Sequence, residues 1–200
     1  MERMHQLADE IRETFEERGW AIGKAVGLDP AFTRTRRSCS SLGRDLVIDA
    51  VEGAASRLGL GYETCSGGGC DVVVFVDGAV RHFRIRKAGV DSETGDYDVV
   101  CGSDSILTIE TDDEVLIPAE RWLLGYTADD EGLVIDIFAA RVLGATEESV
   151  PRLILGTPTL LGHTGPATWP PNGRFEPADE DDLGVDIGDD DVESGEAGAG

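Results

Sequence analysis

Three groups of residues have side chains and spacings suited to chemistry. Cys65 and Cys70 flank a Ser-Gly-Gly-Gly spacer, a separation inside the range that zinc-binding thiolates use. Cys39 and Cys101 form no second close pair, so a four-thiolate zinc site would have to be assembled from distant segments. The plainer expectation is four reduced thiols acting as small hydrophobes. The second group is His82, Arg84 and Arg86, followed by Lys87. Side chains along a strand change face at every residue, so three groups able to carry positive charge line one strand face. Such a stripe suits a nucleic-acid phosphate, a partner's acidic surface, this chain's own acidic tail, or plain solvent. The third group is Arg34, Arg36 and Arg37, a second basic cluster. The acidic runs Asp112-Asp113-Glu114 and Asp129-Asp130-Glu131 sit where turn chemistry already explains them. No GxxxxGK[ST] loop, HExxH or GxSxG is present. His5 and His163 lie far from His82 in sequence, so no nucleophile–base pair emerges.

The stripe requires a hairpin. Val72 to Val76 is a β-branched and aromatic run, suited to a strand buried on both faces. Asp77-Gly78 is the dipeptide of a type I′ turn, and Phe83 and Ile85 alternate with the cations on the return strand. Upstream, Met4, Leu7, Ile11 and Phe15 mark one face of a helix over residues 2–18, ended by Gly19. A second helix is expected from Ser40 or Ser41, with Leu42, Leu46, Ala50, Ala54 and Leu58 at four-residue steps; Val47, Val51 and Ala55 widen the stripe, and Gly59 and Gly61 close it. Tyr62 to Thr64 reads as a short strand. Beyond Lys87 the pattern is strand and turn: Tyr97–Cys101, Ser105–Glu110, Glu114–Ile117, Arg121–Thr127, a segment from Leu133 to Leu143 read as strand passing into helix, and Arg152–Leu155. The expected fold is α+β, two N-terminal helices packed on a mostly antiparallel sheet and followed by a disordered acidic tail.

Between the helices, residues 22–37 resemble the core of a helix-turn-helix. A short helix would end at Val26, Gly27-Leu28 would turn, and Pro30 would open a second helix carrying or preceding Arg34, Arg36 and Arg37. Gly23 stands where that family packs an alanine, and apolar residues are sparse after Phe32; a basic linker is the alternative. The central hairpin is similar to the PD-(D/E)xK nuclease core, which has a helix, an Asp after a glycine-rich turn, then a strand carrying an acid and a lysine one residue apart. The matching positions are Glu52, Asp71 and Arg84-Ile85-Arg86. That family's metal-activated water needs carboxylates. Arg84 stands in place of one of them, and no long helix follows the third strand. The resemblance therefore implies an inactive anion binder, or, if the chain is an enzyme, a metal-dependent nuclease with Glu52 and Asp71 as the metal candidates.

The chain has 200 residues and a net charge of −23. Four segments are expected: an N-terminal helical segment over 1–38, an α+β core over 39–156, a Pro/Gly-rich linker over 157–174, and an acidic tail over 175–200. The tail holds eleven acids and no Lys or Arg, a composition that cannot bury enough apolar surface to order itself alone. No apolar run reaches membrane-spanning length or resembles a signal peptide, so a soluble, cytoplasmic chain with no membrane partner is expected. Fifteen Arg against two Lys fits a GC-rich genome, and the acidity fits a halophile. The function expected is a non-enzymatic regulatory or interaction module, without a cofactor, that binds a basic protein partner through its acidic surface and tail. The alternative is nucleic-acid association through His82, Arg84, Arg86 and Lys87, with Arg34, Arg36 and Arg37.

Overall fold

The structure is a computed structural model that describes residues 1–65, 69–102, 106–109 and 117–162. The expected linker from residue 163 onward, the tail over 175–200 and the acids 112–114 lie outside the described residues. Among the described residues, three helices, α1 (Glu2–Arg18), α2 (Trp20–Val26) and α3 (Arg37–Ala55), precede nine strands. These are β1 (Gly61–Cys65), β2 (Gly69–Val76), β3 (Ala79–Lys87), β4 (Gly89–Val90), β5 (Tyr97–Asp98), β6 (Ala119–Ala128), β7 (Val134–Ala145), β8 (Leu153–Leu155) and β9 (Thr159–Leu160). The main sheet runs β1-β2-β3-β6-β7-β8, with β9 also on β7; β4 and β5 form a separate ribbon. All its pairings are antiparallel except β3 with β6. The fold is α+β with a mostly antiparallel sheet, and among the described residues no helix is long and apolar enough to cross a membrane.

The apolar stripes explain how the layers meet. Met4, Leu7, Ile11 and Phe15 of α1 are buried, as are Leu46, Val47, Ala50, Val51 and Ala54 of α3. They meet Val72, Phe83, Ile85, Leu124 and Tyr126 on one sheet face. The opposite face has its own core, in which Leu123, Phe138 and Ala140 pack with Ala88, Val99, Ile106 and Val142. The expected burial of Val72–Val76 on both faces does not hold. Val72 and Val74 pack into the helix-side core, but the second core takes no residue of β2 and Phe75 is 65% exposed, because that core covers β6 and β7 rather than the hairpin's outer strand. Gly125 lets the second core close: a Cβ there would lie 2.2 Å from Cζ of Phe138, whose ring stacks on Tyr97 at 3.8 Å between centroids.

The hairpin has the expected turn. Asp77 and Gly78 both have positive φ, 54° and 80°, and Val76 pairs with Ala79. Other expectations change. Gly19 does not leave the helical region (φ −58°); α2 begins one residue after α1, and glycine is needed because a Cβ would lie 2.5 Å from the Phe15 carbonyl oxygen. No helix opens at Pro30. Residues 30–36 form turns and α3 starts at Arg37, which places Arg34 and Arg36 in the connection and Arg37 at the helix start. Asp29 and Thr33 explain the turns, since the Asp29 carboxylate accepts the Ala31 N–H (2.7 Å) and the Thr33 hydroxyl donates to the Pro30 carbonyl (2.9 Å).

Leu133–Leu143 does not pass into helix, because its residues stay paired with β6 as the strand β7. Ile106–Thr108 is a short 3-10 turn rather than a strand, and only Tyr97–Asp98 of the segment 97–101 forms an element. The start of the expected linker belongs to the fold: Thr159 and Leu160 pair with β7, and Leu161 is fully buried. The Arg12 guanidinium donates to the Ile135 and Leu161 carbonyls, and the Gly162 N–H donates to His5 Nδ1 (3.3 Å).

Candidate functional site

The two-residue turn sets the hairpin register, and the register decides what the cationic strand does. Asp71 pairs with Arg84, Val73 with His82 and Val72 with Phe83. Alternation puts His82, Arg84 and Arg86 on the face away from α1 and α3, as expected. Arg84, however, is not presented to a ligand. It is 5% exposed and Asp71 is 3% exposed. Arg84 Nε donates to Asp71 Oδ1, and Arg84 Nη2 donates to Asp71 Oδ2 at 3.0 Å. A guanidinium fits a carboxylate with two parallel hydrogen bonds, which is the arrangement that lets both charges leave water. Arg84 is therefore a structural cation. His82 and Arg86 beside it are half-buried and Lys87 is exposed; Arg86 Nη1 donates to the Ile85 carbonyl at 3.3 Å.

The same face holds Arg121, which sequence reasoning passed over. It pairs with His82 across β3 and β6, and its Nε donates to the Ile109 carbonyl at 2.8 Å. Its signal was the alternation of residues 119–127, which puts Arg121 in phase with Leu123 and Gly125. On the helix-covered face, Arg81 donates to Glu120 at 2.8 Å and stacks over Trp122, 5.3 Å from the ring centroid. The Trp122 indole N–H also donates to Glu120 at 2.8 Å. That indole bond, and then Arg81, hold the Glu120 carboxyl below its usual range.

The metal candidates do not converge. Asp71 turns to the face away from α3, whereas Tyr62, which feels the charge of Glu52, packs into the core beneath the helices. Glu52 is exposed on α3 and Asp71 is bound to Arg84. Among the described residues, no three His, Cys, Asp or Glu side chains are grouped to hold a metal. Cys65 and Cys70 also diverge: Cys65 pairs with Gly69 and Cys70 with Thr64, which directs the two side chains to opposite sheet faces. Cys70 is buried, and burial pushes its thiol up to about 11 despite a hydrogen bond with Tyr62. Burial likewise raises Tyr62 to about 12.

The helical side differs. The connection between α2 and α3 exposes Arg34, Arg36 and Arg37 together with Leu28 and Phe32. Arg36 pairs with Asp130 on the β6–β7 turn, where the Asp129 carboxylate accepts the N–H groups of Glu131 and Leu133. That aspartate does the turn work expected of the 129–131 run. The chain matches no family model, no curated protein and no solved structure in the comparisons made.

Proposed function

We propose that the chain is a non-enzymatic interaction module that captures a basic protein partner through its acidic surface and tail. The observation that carries this reading is the internal use of the arginines. Arg18, Arg57, Arg81, Arg84 and Arg152 pair with Asp49, Glu10, Glu120, Asp71 and Asp98, and Arg36 pairs with Asp130. Each such pair neutralises one acid, yet 40 acids face 17 Lys and Arg, so the surplus remains outward. Glu13, Glu16 and Glu17 on the open face of α1 carry part of it. A strong net negative charge steers oppositely charged partners and repels like-charged nucleic acid. The competing reading, phosphate binding by the hairpin's cationic face, loses its central residue to Asp71.

The test is a titration of a fluorescent lysine/arginine-rich peptide with the full chain and with a full chain whose tail acids are replaced by Asn and Gln. The wild type is expected to bind more tightly and to weaken as salt shortens the Debye length. Equal affinity for the two proteins would remove the tail from the function.

A further inference from the structure

A cleft of about 400 Å³ opens on the helical layer between α2 and α3. Its floor is apolar, built from Ala21, Ile22 and Ala25 of α2 and from Leu42 and Leu46 of α3. Its charged residues are Arg18, Asp45 and Asp49. Arg18 is already bound to Asp49, so Asp45 is left with no ion-pair partner among the described residues. The acids run on past the cleft: Asp45, Asp49 and Glu52 follow at four- and three-residue steps and are all exposed along α3. None of Lys24, Arg34, Arg36, Arg37 and Arg44 lines the cleft. Lys24 Nζ lies over the Trp20 ring, 5.4 Å from its centroid, and Arg36 is bound to Asp130. Arg37 and Arg44, seven residues apart, share the other side of α3, where Arg44 acts on the buried Cys70 and Tyr126.

An apolar floor beside an unpaired carboxylate calls for an occupant that carries aliphatic side chains and cations together. A second copy of the chain brings its own −23 and is repelled. The cleft lies between two helices, and the side chains of a further helix fit such a groove with contacts at i, i+4 and i+7. The seven residues of α2 advance about 11 Å at 1.5 Å per residue, so the α2 wall accommodates about two turns of an incoming helix. The Arg18–Asp49 pair does not bar it. Both side chains are more than half exposed, and pairs of that kind hold weakly. An incoming Lys or Arg therefore meets Asp45 directly and takes Asp49 in exchange for Arg18.

We propose that the α2–α3 cleft seats an amphipathic helix of a basic protein, with its aliphatic face on Leu42 and Leu46 and its Lys or Arg side chains on Asp45 and Asp49. Docking here rests on the reading of the chain as a capture module for a basic partner, and deepens it. Net charge attracts any cationic protein, whereas the cleft selects one that brings its cations and aliphatic residues together on a helix.

Two fluorescent peptides of identical composition and charge test it on the full chain. One places leucines at i, i+4 and i+7 of a helix flanked by lysines and arginines; the other scrambles that order. The amphipathic peptide is expected to bind the wild type several-fold more tightly than its scramble. Asp45→Lys and Leu42→Gln are each expected to erase that preference. Glu147→Lys makes the same charge change on the β7–β8 connection, where Glu147 is exposed, and is expected to leave the preference in place. Leu42 and Asp45 are exposed, so their variants keep the fold, which circular dichroism verifies. Equal affinity for the two peptides, a preference that survives Asp45→Lys and Leu42→Gln, or one lost equally in Glu147→Lys would overturn the docking while capture of a basic partner stands. Wild type of dimer mass that reverts to monomer in Leu42→Gln would put a second copy in the cleft and overturn it as well. Binding of neither peptide would remove the docking together with the reading it deepens.

Discussion

Replacing Arg84 by leucine strands the Asp71 carboxylate in a site where it is 3% exposed. Two charge-assisted hydrogen bonds disappear, from Arg84 Nε and Nη2. Each is worth about 1.5–3 kcal/mol, and removing one member of a buried pair costs about 3–5 kcal/mol in total. Because both side chains are almost fully enclosed, solvent screening does not reduce that figure. Asp71→Val is expected to cost a similar amount, since it removes the same two charge-assisted hydrogen bonds from a buried guanidinium. The double variant Asp71→Val/Arg84→Leu removes both charges together and is expected to lie within about 1–2 kcal/mol of wild type, since well-packed apolar pairs replace buried ion pairs at little cost. Urea unfolding of the four proteins, with unchanged m-values, gives the cycle directly. A single-variant cost under about 1 kcal/mol, or a double variant equal to the sum of the singles, would refute the reasoning. Arg84 would then be a solvated cation, and the phosphate-binding reading of the hairpin would regain its main residue.

Three further outcomes follow from the packing and the shifted groups. At pH 8, a thiol reagent is expected to modify Cys70 last, because its thiol sits at about 11 while Cys39, Cys65 and Cys101 are only partly covered; equal rates by mass spectrometry would contradict its burial. Gly125→Ala drives a Cβ into the Phe138 ring and is expected to cost about 1–3 kcal/mol, so an unchanged thermal midpoint would show that the second core is looser than described. Glu120 has a folded pKa below its unfolded value of 4.5. The stability it contributes is therefore present above pH 4.5 and lost as pH falls through the folded value. Glu120→Gln should flatten that part of the acid limb of stability, and an unaltered limb would remove Glu120 from it.

The helices were legible because α1 and α3 each repeat apolar residues at helical spacing, and the hairpin because Asp77-Gly78 allows only a tight turn. The same turn held more than the strand pattern suggested. Asp71 lies six residues before Asp77 and Arg84 six after Gly78, so a two-residue turn must set them opposite each other. Strand alternation alone assigns a face, not an exposure, and Arg84 lies beside Leu123 of β6, which is 39 residues away in sequence and belongs to the second core. Arg34, Arg36 and Arg37 were legible as a basic cluster but not as a connection: Pro30 suits a helix start as well as a turn, and the Asp29 side chain selects the turn by binding the Ala31 N–H. The path of β7 was ambiguous because Ile137 to Ala140 is apolar on both faces, a pattern that suits a buried helix or a strand between two cores.

The central claim, capture of a basic protein by an acidic surface, is tested most directly by one competition measurement at a single moderate salt concentration. The full chain is titrated into a mixture of a lysine/arginine-rich peptide and duplex DNA carrying distinguishable fluorophores, and both anisotropies are read. The peptide signal is expected to rise and saturate while the DNA signal stays flat. A rise in the DNA signal with a flat peptide signal would contradict it and place the function on the chain's cations instead.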